Sequence, residues 1–235
     1  MRIIFKKSYL LATLAILLLL MGGATFILPR MLHLDSYRDQ ILAQVQQSLN
    51  RQVLYETGEF SYHIFPTFTF TKVVVKEKDG TSTLISADRL TIKVALLPLL
   101  KKKIVLRNLI LEKPAVELIR DRDGRLNISD LLEEKPGGVP LQVRGVHLLK
   151  GRIRFTDLAV TPQGVITILE TTDLNLDHIS RGKACTIKLA TTVRDNGQKG
   201  SLSLNGKATI PSKGKPLSDA TINITVKGKN LNVTP

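Results

Sequence analysis

The chain has 235 residues, of which 43% are hydrophobic, and this content supports a packed core and argues against disorder of the whole chain. The formal net charge of +14 suits nucleic acid or anionic lipid, but the excess is spread along the chain and marks no single site. A lone cysteine, Cys185, excludes an intrachain disulfide, and four scattered histidines without zinc-ligand spacing argue against a metal site.

The N-terminal segment predicts a membrane anchor. Residues 9–28 form an uncharged run of about 20 residues, the length that a helix needs to cross a hydrocarbon core. Lys6 and Lys7 precede the run and favour a cytoplasmic N-terminus. The alternative is a cleaved signal peptide, with Gly22 and Ala24 as the small residues of the cleavage site. In both cases the body of the protein is exported, which argues against nucleic acid as its partner.

An amphipathic helix is predicted directly after the anchor, over residues 35–53. Tyr37, Ile41, Val45 and Leu49 recur every four residues and therefore share one face of a helix. Two placements fit this pattern. The helix either lies on the bilayer surface or packs on the end of a sheet.

From residue 66 onwards the apolar period changes to two, which is typical of half-buried strands with one polar and one apolar face. Pro66 precedes the first of these strands, as at a strand start. Strands are predicted over residues 68–75, 86–97, 103–112, 114–120, 164–170, 171–179, 184–193, 201–210 and 220–228. Alternation also occurs after the stretch 133–142, with Val146 and Leu148, then Ile153 and Phe155. Short apolar stripes mark the later ones, namely Leu174 with Leu176, Ile187 with Leu189, Leu202 with Leu204, and Ile222 with Ile224.

Two charged stretches suggest binding sites but favour turns. Asp121, Asp123 and Gly124 resemble part of a calcium loop, yet arginines intervene and the twelfth position is Leu132 instead of glutamate. An Asp-Gly turn that leads into a short helix near 128–134, capped by Ser129, explains this stretch better. The lysine triplet 101–103 lacks a glycine loop or aromatic neighbours, so it is interpreted as a solvated turn or as a contact to anionic head groups.

Up to Leu132, the order of these features resembles the N-terminal region of the AsmA family, whose members are anchored in the inner membrane of Gram-negative bacteria. The similarity rests on the anchor, the helix, Phe65-Pro66 before a strand, the stretch 97–100 and the closing charged turn. The family commonly has a glycine after the first helix and often a tryptophan before the Phe-Pro pair. Here Asn50-Arg51 and Tyr62-His63 stand at those places, which puts the subfamily in question.

The resemblance implies a mainly β fold: an N-terminal transmembrane helix and an amphipathic helix, followed by a curved, largely antiparallel sheet that forms a β-groove. The regions expected are an anchor over 1–30, an AsmA-like α+β region over 31–134, and a β-rich region over 135–235. The glycine- and proline-rich stretch 133–142 is the predicted boundary. The last residues predict the start of another strand, and we interpret the chain as the first part of a longer architecture or a short version of one.

The function that the resemblance implies is phospholipid transport or outer-membrane assembly by a protein whose body lies in the periplasm. An apolar groove would hold acyl chains and leave head groups in water. The candidate groove residues are Phe68, Phe70, Leu90, Ile92, Val94, Ile104 and Leu106.

Three alternatives remain open at this stage. The apolar stripes also suit a closed sandwich without a groove. A membrane-anchored scaffold for envelope proteins, which carries no lipid, is the second function considered. An enzyme is disfavoured because no nucleophile, metal or cofactor signature occurs, and no catalytic residue or cofactor is predicted.

Overall fold

The computed structural model describes residues 34–62, 65–100, 105–132, 142–161, 163–180, 182–195, 198–209, 211 and 219–231. The chain divides into two units, Met1–Gln40 and Ile41–Pro235. The predicted anchor over 1–30 lies outside the described residues. Within the described ranges, no helix is both long enough and apolar enough to cross a membrane.

The described elements are three helices and twelve strands. The helices are α1 (Leu34–Leu49), α2 (Leu96–Leu100) and α3 (Ser129–Leu132). The strands are β1 (Val53–Leu54), β2 (Thr57–Tyr62), β3 (Pro66–Lys76), β4 (Thr83–Val94), β5 (Val105–Glu112), β6 (Ala115–Arg120), β7 (Gln142–Val143), β8 (Gly145–Asp157), β9 (Val165–Asp177), β10 (Ala184–Asp195), β11 (Gln198–Thr209) and β12 (Thr221–Lys229). The mainly β fold expected from the alternating pattern is confirmed.

All described strands belong to one sheet. Its order is β1-β3-β4-β5-β8-β9-β10-β11-β12, with β2 beside β3, β6 beside β4 and β8, and β7 beside β5. Most neighbours are antiparallel, whereas β8 runs parallel to both β5 and β6. The sheet is therefore mixed. The described strands do not divide into the two facing sheets that a closed sandwich requires.

The parallel pairing in the middle of the sheet follows from one broken strand. β5 and β6 are two halves of a strand that is interrupted at Lys113 and Pro114, and both halves lie between β4 and β8. Parallel neighbours need a crossover connection because the chain must return to the same end of the sheet. The charged turn, α3 and the stretch 133–141, which lies outside the described residues, belong to this crossover. Strands from both sides of the predicted boundary thus pair within one sheet.

A row of residues in the left-handed conformation interrupts neighbouring strands at a similar level. Its members are Lys72 in β3, Lys113 between β5 and β6, Lys150 in β8 and Thr171 in β9, with φ values of 51°, 46°, 53° and 50°. We call these four residues the left-handed row. Residues other than glycine seldom adopt this conformation, and for a β-branched threonine it is a clear outlier.

Hydrogen bonds tie the left-handed row together across the strands. The ammonium group of Lys113 donates to Asp88 of β4 at 3.1 Å, and the amide of Lys113 donates to the carbonyl of Leu149 at 2.8 Å. The amide of Lys150 in turn donates to the carboxylate of Asp173 in β9 at 2.8 Å. Such irregularities bend strands and increase their twist, so the row gives the expected curvature of the sheet a local origin.

The best-buried side chains lie at the β3–β5 end of the sheet. A sheet face becomes fully buried only when another layer covers it, and α1 is a described element with a buried apolar face. Its Ile41 and Leu42 are 0% and 6% exposed. Of the two placements considered for this helix, burial against protein is therefore the one observed for these residues. The burial of Tyr37 falls outside the described set.

A buried arginine fastens the connection between α1 and the sheet. The Arg51 side chain is fully buried and forms two hydrogen bonds to the carboxylate of Asp130, at 3.0 and 3.1 Å. The same guanidinium group lies 3.5 Å from Glu77 and also donates to the carbonyls of Leu49 and Asn127. We call this cluster the Arg51 clamp, because it joins the end of α1, the end of β3 and the start of α3.

The charged turn immediately precedes the part of the chain that the clamp holds, and it is closed by its own hydrogen bonds. Gly124 has φ of 81°, which favours glycine, and its amide donates to the carbonyl of Asp121. The carboxylate of Asp121 accepts a hydrogen bond from the Arg125 amide at 2.8 Å and closes the turn. The turn and short helix are thus as expected, but the Ser129 hydroxyl accepts from the Leu126 amide and so binds the preceding turn.

Candidate functional site

One face of the sheet carries apolar side chains in continuous rows that run from strand to strand. Residues paired directly across neighbouring strands point to the same face, so the register identifies each row. Row 1 consists of Phe68, Ile92, Leu109, Val146, Leu176, Ile187, Gly206 and Ile224. Row 2 consists of Phe70, Leu90, Leu111, Leu148, Leu174, Leu189, Leu204 and Val226. Both rows extend from β3 to β12 without a polar side chain.

A third row lies beyond the left-handed row. Row 3 consists of Val53, Val75, Ile85, Val116, Ile153, Leu169, Val193 and Gly200. Row 3 shares a face with row 2. In β10, Leu189 of row 2 and Val193 of row 3 are four residues apart in a strand that pairs with β11 without a register shift, so their side chains point to the same side. In β9, Leu174 and Leu169 are five residues apart, and the extra residue near Thr171 brings both side chains to that same side. Rows 1 to 3, together with the residues that alternate with them on the same side of the sheet (Cys185, Ala208 and Ile222, and Thr172, Thr191 and Leu202), are called the apolar face.

The opposite face is predominantly polar. One of its rows consists of Thr91, Ile110, His147, Asn175 and Lys188. His147 lies between two amides, with Nδ1 at 2.6 Å from Asn175 Oδ1 and Nε2 at 2.9 Å from Asn108 Nδ2. Charged groups on this side form exposed ion pairs, which contribute little to stability. The sheet is therefore amphipathic, because its charged groups lie mainly on this face.

Two threonines are the polar exception on the apolar face. Thr172 is fully buried and Thr191 is 6% exposed, and their hydroxyl oxygens lie 2.8 Å apart. The Thr191 hydroxyl also contacts the carbonyl of Glu170 at 3.1 Å, where the strand is irregular. The pair satisfies the backbone at the irregularity and leaves no unpaired polar group on the apolar face.

Exposure changes along the rows from one end of the sheet to the other. In row 1, Phe68 and Ile92 are 0% exposed, the residues of β5 to β10 are half-buried, and Ile224 is 41% exposed. Row 2 repeats this gradient, from 1% at Phe70 to 55% at Val226. The same surface is a protein core at the β3–β5 end, called the covered end, and a solvent-facing surface at the β9–β12 end, called the open end.

The groove residues predicted from sequence lie at the covered end. Six of them are buried, and the least buried is Leu90 at 9% exposure: Phe68, Phe70, Leu90, Ile92, Val94 and Leu106. Ile104 and the lysine triplet 101–103 lie outside the described residues. The six lie on the adjacent strands β3, β4 and β5 and are buried in this conformation, and their role as groove residues stays a prediction.

The accessible part of the apolar face is formed by later strands, which contain none of the groove residues predicted from the sequence. Its most exposed members are Ile222, Ile224 and Val226 of β12, at 66%, 41% and 55%. Gly206 of β11 lies beside Ile224 in row 1. A side chain at this position would collide with the backbone of Ile224 and the carbonyl of Asn223, which explains the glycine. The short apolar stripes in the sequence did mark these strands. No local signal distinguishes a stripe that is covered from one that is open.

Cys185 is a structural residue of the apolar face. It pairs with Ala208, which pairs in turn with Ile222, so it continues the alternation of Ile187 and Leu189. The thiol is buried and unpaired. Burial raises the pKa of the Cys185 thiol, the nearby Asp177 carboxylate raises it further, and the thiol is therefore a poor nucleophile.

The fold and the apolar face define a class of protein built on a single amphipathic β-sheet. The family model described as the AsmA family matches residues 5–229, nearly the whole chain, and the chain belongs to this family. A search of curated proteins gave no match. The family match extends well beyond the N-terminal part on which the resemblance rested and includes β12. Membership associates the chain with the bacterial envelope in general terms.

Proposed function

We propose that this chain is an inner-membrane-anchored periplasmic protein that binds the acyl chains of phospholipids on its apolar face. In this way it supports lipid transport or outer-membrane assembly. The observation that carries the proposal is the continuity of rows 1 and 2, which reach from the core to an exposed strand without a polar interruption. No covalent step is part of this function.

The dimensions of the open end suit an acyl chain. Neighbouring strands lie about 4.8 Å apart, so the distance from β9 to β12 is about 14 Å. One leaflet of a bilayer contributes about 15 Å to the hydrocarbon thickness, half of about 30 Å. A chain of leaflet length lying along the rows would therefore contact every strand of the open end.

The energy of such binding is substantial. Transfer of a methylene group from water to an apolar surface contributes about 0.8 kcal/mol, so ten covered methylenes contribute on the order of 8 kcal/mol. That gain offsets a large part of the cost of removing one chain from a bilayer. The head group would remain in water, because no described charged side chain belongs to rows 1 to 3.

Photo-crosslinking on β11 tests this proposal. A photoreactive amino acid at position 204 lies on the apolar face, and one at the adjacent position 205 lies on the polar face of the same strand. In cells that express the full chain, we expect phospholipid adducts at 204 and at most a trace at 205. Equal labelling at both positions, or none at either, would contradict lipid binding on this face. Capture of one specific protein at 204 instead of lipid would favour an envelope scaffold.

The anchor and the localisation are tested separately. The intact chain should remain in the membrane fraction after carbonate extraction, and its mass should include residues from Met1 onwards. Protease added to the outer side of spheroplasts should digest the body, since the body is proposed to lie in the periplasm. A mass that begins after Ala24 would show that the segment is a cleaved signal and not an anchor.

A further inference from the structure

The last strand of the described sheet has an unpaired long edge. β12 pairs with β11 over nine consecutive positions, from Thr209↔Thr221 to Ser201↔Lys229, without a register shift. Among the described strands no neighbour lies on its other side. Every residue of β12 is exposed, and the strand contains no proline. A long, regular, partly apolar edge of this kind is a template for pairing with another strand.

The other edge of the sheet is built differently. There β1 and β2 border β3 in one continuous register, from Val53↔Val75 to Tyr62↔Pro66, and the Glu56 amide donates to the carbonyl of Thr71 at 3.0 Å. The ladder is irregular at Tyr55 and Glu56, beside the left-handed Lys72. Such an irregularity bends an edge strand and makes it a poorer template for pairing, so the regular edge of β12 is better matched by another β12 than by the opposite edge of the sheet.

We propose that β12 is a self-association edge that pairs antiparallel with β12 of a second copy, about a two-fold axis at Ile224. An axis perpendicular to the sheet leaves both apolar faces on the same side. Residue n then faces residue 448 − n of the second copy, and each even-numbered apolar residue meets an even-numbered one. A slip by one position would place every apolar side chain opposite a polar one, which disfavours it.

The side chains of β12 are self-complementary in this register. On the apolar face Ile222 lies opposite Val226 of the second copy, and Ile224 lies opposite its own equivalent. On the polar face Thr221 lies opposite Lys227, and Asp219 comes near Lys229, so no like charges face one another. An axis at Thr225 keeps the same phase but places Ile222 opposite Gly228, which loses an apolar contact.

Pairing of this kind also removes an exposed apolar edge from water. The three apolar side chains of β12 are 41% to 66% exposed in one chain and gain an apolar partner in the pair. Rows 1 and 2 would then continue across the two-fold axis into the second copy. The proposal rests on the edge and its residues, and it stands or fails independently of lipid binding.

Molar mass tests the association. The full chain in detergent micelles, at micromolar concentration, should sediment with a protein mass twice the 26.0 kDa of one chain. Ile224→Lys places two like charges opposite each other at the axis, so we expect a monomer and at least a tenfold weaker association. Thr225→Lys adds the same charge to the other face, opposite Asn223, and should remain a dimer. A monomeric wild-type chain, or a dimer that Ile224→Lys leaves intact, would overturn the proposal.

Disulfide formation tests the register. In a Cys185→Ala background, Ile224→Cys brings two thiols to the axis, where antiparallel partners have Cα atoms about 4.5–5.5 Å apart, within disulfide range. Mild oxidation should convert most of this variant to a covalent dimer, and little of the Thr225→Cys variant. The reverse result would overturn the register at Ile224. Crosslinking of position 224 to a different protein in cells, without a self-crosslink, would overturn self-association.

Discussion

The covered end and the open end are built from the same kind of strand but differ in what lies over them. Row 1 contains an isoleucine at each end, yet Ile92 is fully buried and Ile224 is 41% exposed. Strand sequence alone therefore does not decide between core and surface in this protein. The surroundings of each strand, which differ along the sheet, make that decision.

The difference has a functional consequence. A protein that offered the whole apolar face to solvent would gain little stability from it and would aggregate. Burial at the covered end supplies a folded base, and the continuous pairing from β8 to β12, regular from β10 onwards, extends this base into an exposed surface. The proposed lipid-binding surface is thus an extension of the core, supported by backbone pairing where side-chain packing is incomplete.

The sharpest way to test the contrast is to remove the same side chain at both ends. Ile92→Ala creates a cavity in the core and should lower the free energy of unfolding by about 2–5 kcal/mol. Ile224→Ala removes a side chain from an exposed strand and should change it by about 0.5 kcal/mol or less. Denaturant unfolding of both variants gives the comparison. Equal losses would mean that the two ends are equally packed.

A second test removes the clamp. Arg51→Met leaves Asp130 and Glu77 without their buried cation and should cost about 3 kcal/mol, since one partner of a buried ion pair is lost. The control is Arg89→Met, which breaks an exposed pair with Glu112 at 3.3 Å and should cost less than about 1 kcal/mol. Thermal unfolding measures both. A loss for Arg51→Met no larger than the control would show that the clamp does not hold the covered end.

Most helices and strands of the fold could be predicted from local sequence patterns. Alternation predicted the strands, and the helical period predicted α1, because both patterns are set by which residues meet the core. The Asp-Gly turn was also predictable, since Gly124 adopts a conformation that favours glycine. Most strands were therefore predicted close to their observed bounds, but β1, β2 and β7 were not anticipated, and the strands predicted over 164–170 and 171–179 form the single strand β9.

The arrangement of the elements was beyond local pattern. Parallel pairing of β8 with β5 and β6 depends on a crossover, and the burial of Arg51 depends on Asp130, 79 positions later. The left-handed row escapes prediction because lysine and threonine carry no preference for that conformation. The candidate groove residues chosen from the sequence lie at the covered end, because local pattern does not distinguish the two ends. Phe68 and Ile224 both lie in strands with alternating apolar residues, and they differ in burial, which depends on parts of the chain that are distant in sequence.

A third test concerns the left-handed row, which has members in strands of the covered end and of the open end. Thr171→Gly removes a β-branched residue from φ of 50° and should raise the free energy of unfolding by about 1 kcal/mol. Thr167→Gly is the control in the same strand at a regular position, and it should destabilise by about 0.5–1 kcal/mol. Opposite signs would confirm local strain at the row. A loss in both variants would show that the surroundings of Thr171 need its side chain.

The smallest expected effect is a pH dependence confined to the clamp. Burial tends to raise the pKa of Asp130, but hydrogen bonds from Arg51 and Lys78 outweigh it and hold the pKa below its usual value. A carboxylate with a lowered folded-state pKa stabilises the fold fully above its unfolded pKa of about 3.9. That contribution is lost as pH falls through the folded value.

Asp130→Asn should therefore be less stable than wild type at neutral pH, and the difference should shrink as pH falls below about 4. Asp88→Asn is the matched control, because Asp88 pairs with Lys113 at the exposed surface and its loss should cost little at any pH. Urea unfolding at a series of pH values from 7 downwards measures both differences. If the difference for Asp130→Asn stays constant into acid, the carboxylate acts through its shape and not its charge. The clamp would then hold the covered end by packing alone.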